Sequence, residues 1–94
     1  MTRHRKIDAN HGQIVKALRA IGATVHSLAS LGAGCPDLVV GRLGKNYLLE
    51  IKDGARCPSE RRLTEDEKSW HASWRGQVCV VNSVDEALKA VGAV

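Results

Sequence analysis

Apolar positions recur along the chain with two different periods. Between residues 10 and 21 the period is helical: Ile14, Leu18 and Ile21 fall at i, i+4 and i+7, with Val15 and Ala17 beside them and Gln13, Lys16 and Arg19 off the stripe. Asp8 or Asn10 can cap this helix, and Gly22 is a natural stop. Ala23 to Ala29 reads as a strand, and Leu31-Gly-Ala-Gly-Cys-Pro36 then breaks regular structure. Asp37 to Arg42 and Asn46 to Lys52 are apolar, β-branched-rich runs, and Leu43-Gly44 between them predicts a β-hairpin. Asp53 to Arg62 is a polar loop. Leu63 to Trp74 predicts a second helix, with Thr64 and Glu67 spaced as a capping box. Gln77 to Asn82 reads as a strand of the buried kind, and Ser83 to Glu86 opens a last helix with a second capping box, closed by Gly92. The predicted order, α-β-β-β-α-β-α, is an α/β domain with a mixed sheet of about four strands flanked by helices.

The hairpin carries the candidate chemistry. Side chains alternate along a strand, so Glu50 and Lys52 share one face while Leu49 and Ile51 share the other with Leu38 and Val40. Paired residue numbers keep a constant sum in a hairpin, and a turn centred on Leu43-Gly44 sets Asp37 directly opposite Glu50, with β-carbons about 4.5 to 5.5 Å apart. A slip of one residue would move Asp37 to the other face. Two carboxylates so placed repel each other without a cation or a proton, and together they form a hard-oxygen site suited to Mg²⁺ or Mn²⁺. Lys52 beside such a site can orient a water and balance charge on a phosphorane-like transition state. The bland alternatives are a turn-capping Asp37 and an exposed Glu50–Lys52 pair. The apolar flanks of the strand weigh against the second, because isolated buried charges are costly.

Composition narrows the class. A chain of 94 residues makes one domain spanning 1–94, and 44% hydrophobic with 26% charged residues is ordinary for a folded protein. Aromatics are 3% with no Phe, which predicts an aliphatic core. The net charge of +4 favours an anionic partner, nucleic acid first. No apolar run reaches the roughly 20 residues needed to cross a bilayer. Residues 1–7 form a basic arm with no apolar segment behind it, so no signal peptide is expected. Three cysteines, Cys35, Cys57 and Cys79, with no C-x-x-C spacing, point to a reducing cytoplasm rather than a disulfide scaffold. A zinc site from these and one of His4, His11, His26 or His71 matches no known spacing, and Cys79 reads as a buried small hydrophobe. His11 and His71 are available as general bases, although no spacing demands it. Trp70 and Trp74, four apart, read as core or dimer interface.

Pro36-Asp37, a spacer, then Glu50-Ile51-Lys52 resembles the PD-(D/E)XK nuclease signature. Gly32-Ala-Gly-Cys35, Asp53-Gly54, Leu63-Thr64 opening a helix that holds Trp70, and Trp74-Arg75-Gly76 extend the likeness to the VRR-NUC branch, in its small stand-alone phage and prophage form, from about Asp8 to Gly92. The resemblance implies a restriction-endonuclease-like core. It casts Asp37 and Glu50 as metal-binding carboxylates, Lys52 as the catalytic lysine and the Ile51 backbone carbonyl as a further metal ligand. The family tends to carry a glutamate on the first helix and a glutamine early in the second; here Gln13 and Glu67 stand there instead. Gln13 can offer a neutral oxygen to a metal, and Glu67 can compensate if the helices meet over the sheet.

The expected function is therefore Mg²⁺- or Mn²⁺-dependent hydrolysis of DNA phosphodiesters in a bacterial cytoplasm. By resemblance the substrate is branched or Holliday-junction DNA, cut by a homodimer whose two-fold axis matches two symmetric cuts. Arg3, Arg5 and Lys6 in the arm and Arg56, Arg61 and Arg62 in the loop flank the site and are candidate phosphate contacts. The rival readings are a non-catalytic DNA-binding module that keeps the fold and an interaction protein with no nucleic-acid role.

Overall fold

A computed structural model describes residues 8–94. Among them the helical stripe becomes α1 (His11–Ala20), and the remaining elements are β1 (Thr24–Ser27), β2 (Leu38–Arg42), β3 (Lys45–Ile51), α2 (Glu65–Ser73), β4 (Cys79–Val81) and α3 (Val84–Ala90). The order is the one predicted. The strands form a mixed sheet, β1-β2-β3-β4, in which β1/β2 and β2/β3 pair antiparallel and β3/β4 pair parallel. The hairpin register runs from Arg42 opposite Lys45 to Leu38 opposite Leu49, which is the register the Leu43-Gly44 turn predicts. Both turn residues have positive φ, 51° at Leu43 and 78° at Gly44, as a two-residue turn matched to strand twist requires.

One face of the sheet carries the core. Ile14 and Leu18 of α1, Ala87 of α3 and Val91 just beyond it close over Val25, Leu38, Val40, Leu49, Ile51 and Val81. The core is aliphatic, as the composition predicts. Glu50 and Lys52 point the other way, toward α2. No helix among the described residues is long and apolar enough to cross a membrane.

Local expectations are corrected at several places. Strand β1 stops at Ser27: Leu28 N–H still donates to Asp37 C=O in the same register, and the chain then turns through a 3₁₀ segment, Ala29–Leu31. Asn10 stands at the start of α1 but makes no cap; its amide donates to the carbonyls of Lys52 and Asn82, tying α1 to the ends of β3 and β4. Thr64 and Glu67 form the full capping box of α2. At α3 only half a box forms: Ser83 accepts from Glu86 N–H, while the Glu86 carboxylate turns back to Asn82. Strand β4 is an edge strand of three residues, with Val80 36% exposed, rather than a buried one. The Gln77 side chain lengthens it by bonding both N–H and C=O of Leu48.

Gly34 shows why the segment before Asp37 is glycine-rich. Its φ is +81°, and a Cβ there would overlap the backbone of Asp66 at the start of α2. Gly34→Ala is therefore expected to push α2 off the sheet, lowering the melting temperature by several degrees and disordering Glu67; thermal melts and the Glu67 amide resonance check this.

Candidate active site

Pro36 has no N–H to give a sheet ladder, and β2 starts only at Leu38. Extending the hairpin register by one residue brings Asp37 opposite Glu50. The Asp37 carboxylate takes up the Ile51 donor, Oδ2 accepting from Ile51 N–H at 2.7 Å, while the absent Pro36 N–H leaves the Ile51 carbonyl without a ladder donor. The N–H and C=O of one strand residue project to the same side, so the Ile51 carbonyl also faces the gap beside Asp37. Lys52 N–H points the opposite way, to Val81 C=O at 3.0 Å.

Glu50 is 1% exposed and Lys52 9%, which excludes an ordinary solvated pair. Helix α2 covers them, and its one buried residue is Glu67. Lys52 Nζ donates to Glu67 Oε1 at 2.7 Å, and the same oxygen accepts from Thr64 N–H at 2.9 Å. The capping residue and the partner of Lys52 are one side chain. Burial alone would raise the Glu67 carboxyl, but the hydrogen bonds from Lys52 and Thr64 and the Lys52 charge outweigh it and hold the group below the ordinary carboxylate range.

Glu50 behaves oppositely. Burial, a side-chain hydrogen bond with Asp37, and the nearby charges of Asp37 and Glu67 push its carboxyl up to about 9, against a weaker pull from Lys52. At neutral pH Glu50 thus keeps a proton, held against Asp37. Its Oε1 is buried without a hydrogen-bond partner, 3.8 Å from the equally unpartnered Nε2 of His71. A proton shared between opposed carboxylates, an adjacent backbone carbonyl and an unpaired carboxyl oxygen make a donor set that fits a hard divalent cation. Among the described residues no group of three or more His, Cys, Asp or Glu side chains is arranged to hold a metal ion, so the remaining positions around a cation fall to the carbonyl, to water and to substrate oxygens.

These groups open onto a cleft of about 330 Å³ that Asp37, Glu50, Ile51, Lys52, Thr64 and Glu67 line. Asp8 lines it too, although in sequence it reads only as a possible cap. Burial raises the Asp8 carboxyl, and the charges of Asp37 and Asp53 add to this against the pull of Lys52 and Arg56. A further acid of the cleft thus comes from just before α1. The only sequence signal for it is an acid close ahead of the first helix.

Gln13 is not brought into this cleft. It is exposed and lines a separate cleft of about 540 Å³ with Asn10, Asp53, Arg61 and Asn82. The α1 face that holds Asn10 and Gln13 turns toward the end of β4, not toward Asp37. A third cleft, of about 520 Å³ between α1 and β1, is also larger but holds no carboxylate. Of the arginines, Arg56 and Arg62 line the acidic cleft and Arg61 does not. Arg56 bonds Glu60 at 2.8 Å and approaches Asp53 at 4.0 Å. Arg3, Arg5 and Lys6 lie outside the described residues. Trp70 and Trp74 stack at 4.6 Å, with Trp74 on the surface and its indole N–H bonded to Gln77 C=O.

No protein-family model and no curated protein matches the chain. A solved structure described as a VRR-NUC domain does: 27% identity and a TM-score of 0.53, over 87% of this chain and 94% of that one.

Proposed function

From the VRR-NUC fold, that of a nuclease-type domain, we propose that this chain is a divalent-metal-dependent endonuclease that hydrolyses DNA phosphodiesters at the Asp37–Glu50–Lys52 cleft. The observation that carries the reading is the half-buried Asp37 carboxylate, bonded to Ile51 N–H, set opposite the buried Glu50 carboxyl and beside the buried Lys52. Mg²⁺ or Mn²⁺, when bound, would supply charge against the scissile phosphate and lower the pKa of an attacking water. Asp37, Glu50 and the Ile51 carbonyl would hold that ion. The Lys52 ammonium, fixed by Glu67, is placed to orient the water and to balance charge that builds on the phosphate oxygens. Arg62 and Arg56 at the rim would guide the strand by its phosphates. Asp8 adds negative charge at the mouth and is a better source of a further ligand, direct or through water, than Gln13.

Branched DNA is the proposed substrate, cut by a homodimer, since two symmetric cuts need two sites related by a two-fold axis. Four-way junctions, flaps and plain duplex of equal length, each incubated with Mg²⁺ or Mn²⁺, test this. The expected result is paired, symmetric cuts in the junction and slower cutting of duplex, by a protein eluting at twice its monomer mass. Equal rates on all three, or a monomer that cuts as fast, contradict the junction reading. Salt-dependent binding with no cleavage would instead make the chain a non-catalytic DNA-binding module.

Cation binding should depend on pH with a definite sign. Glu50 must lose its proton to take up the ion, so apparent affinity should rise roughly tenfold per pH unit and level off near the Glu50 value of about 9. Without metal the trend in stability is reversed. The folded state holds a proton that the unfolded chain releases above its ordinary value near 4.5, so this contribution to stability is full below that value and is lost as pH climbs to about 9. Thermal melts with and without Mg²⁺ should therefore diverge more at pH 9 than at pH 6.

A further inference from the structure

Helix α2 meets β3 in a two-by-two match. Glu67 and His71 stand four residues apart on one helix face, and Glu50 and Lys52 stand two apart on one strand face. Glu67 takes Lys52, which leaves His71 facing Glu50. His71 Nε2 and Glu50 Oε1 are both buried, neither has a hydrogen-bond partner, and they lie 3.8 Å apart. Buried polar atoms are almost always paired, so two orphans facing each other, one able to donate and one to accept, belong to one interaction. The gap exceeds hydrogen-bond length by about 1 Å, which a small side-chain rotation covers. The other contacts of Glu50, to Asp37 and Glu67, do not use this oxygen, which has none. Trp70 walls the imidazole edge-on, with ring centroids 6.0 Å apart. His71 does not line the cleft, so it is not placed as the general base that its sequence position allows.

We propose that His71 is a positioning residue for the candidate metal centre: its Nε2–H donates to Glu50 Oε1 and fixes the carboxylate so that its other oxygen turns toward Asp37. The proposal rests on the reading of Asp37 and Glu50 as a divalent site. Outer hydrogen bonds of this kind orient metal-binding groups, and their loss typically costs 10- to 100-fold in metal affinity.

The test is Mn²⁺ uptake without DNA, read from the loss of the free-ion paramagnetic resonance signal, in wild type, His71→Leu and His71→Gln, together with the ¹⁵N spectrum of the wild-type imidazole during a Mg²⁺ titration. His71→Leu should weaken Mn²⁺ binding roughly 10- to 100-fold. His71→Gln, which keeps a donor, should recover part of it. The wild-type imidazole should carry its proton on Nε2, and that resonance should move as Mg²⁺ is added. Equal Mn²⁺ uptake by wild type and His71→Leu, or an Nε2 that carries no proton, overturns this proposal alone. If His71→Leu does not fold, the imidazole spectrum decides by the same criterion. No Mn²⁺ uptake by wild type overturns the metal-site reading and this proposal with it.

Discussion

Asn in place of Asp37 should leave the metal-free protein at least as stable as wild type and remove its affinity for divalent cations. The structural work of Asp37 is to accept a hydrogen bond from Ile51 N–H, at 2.7 Å, and the amide oxygen of Asn accepts it equally well. Its charge stands against Glu50 and helps push that carboxyl up to about 9, where the pair shares a proton, so losing the charge relieves the pair while losing that shared proton's acceptor costs little beside an amide oxygen. Beyond the proton shared with Glu50, a bound cation is what the charge serves. The substitution therefore separates stability from function. Without Mg²⁺ the variant should melt at the wild-type temperature or a few degrees higher, since about 1 kcal/mol moves the midpoint of a domain this size by roughly 4 to 8 °C. With Mg²⁺ the wild type should gain stability and the variant should not. Calorimetric titration with Mg²⁺ should give heat for the wild type alone. A variant that melts well below wild type in both conditions would make Asp37 a structural residue, contrary to this account.

Lys52→Met should be damaging on both counts. Lys52 and Glu67 bury side chains that are 11% and 10% exposed and meet at 2.7 Å, with Glu50 close to both. Removing Lys52 leaves the buried Glu67 carboxylate without its partner, and breaking such a pair costs about 3 to 5 kcal/mol. The melting temperature should fall by more than about 10 °C, and cleavage by at least about 10² to 10³, the usual loss when a transition-state donor is removed. The double variant Lys52→Met with Glu67→Gln should recover most of the stability, because Gln also serves the capping box and leaves no buried charge. It should recover none of the cleavage. Thermal melts and strand-cleavage rates on the single and double variants measure the two effects independently. Equal melting of Lys52→Met and wild type would show that the buried pair does not hold α2.

The parts of this site that could be read in the sequence are those that local rules determine. Alternation along β2 and β3 and a Gly at the second turn position fix the register, and the register alone brings Asp37 to Glu50 and sends Leu49 and Ile51 into the core. The Thr64–Glu67 capping box was equally legible, being a contact three residues long. What was not legible depends on how elements dock. Asp8 and Asn10 look like competing caps, yet one lines the cleft and the other ties down the β3 and β4 ends, because the start of α1 packs where those strands finish. Gln13 stands where the resemblance implies a metal-site residue and faces elsewhere, since its direction follows the way Ile14 and Leu18 seat on the sheet. Glu67 is both a cap and the partner of Lys52, a pairing that no spacing along the chain encodes. The exposure of β4 follows from its place at the sheet edge, where an apolar run packs on one side only.

The central claim is that the Asp37–Glu50–Lys52 cleft cuts phosphodiester bonds with a divalent cation. Nicking of supercoiled plasmid DNA at pH 8 with Mg²⁺, with Mn²⁺ and with chelator, by wild type and by a folded Asp37→Asn that still binds DNA, tests it most directly. The wild type should nick only when a cation is present, and Asp37→Asn should not nick with either metal. Nicking by Asp37→Asn at the wild-type rate, or no nicking by the wild type with both metals, would contradict it.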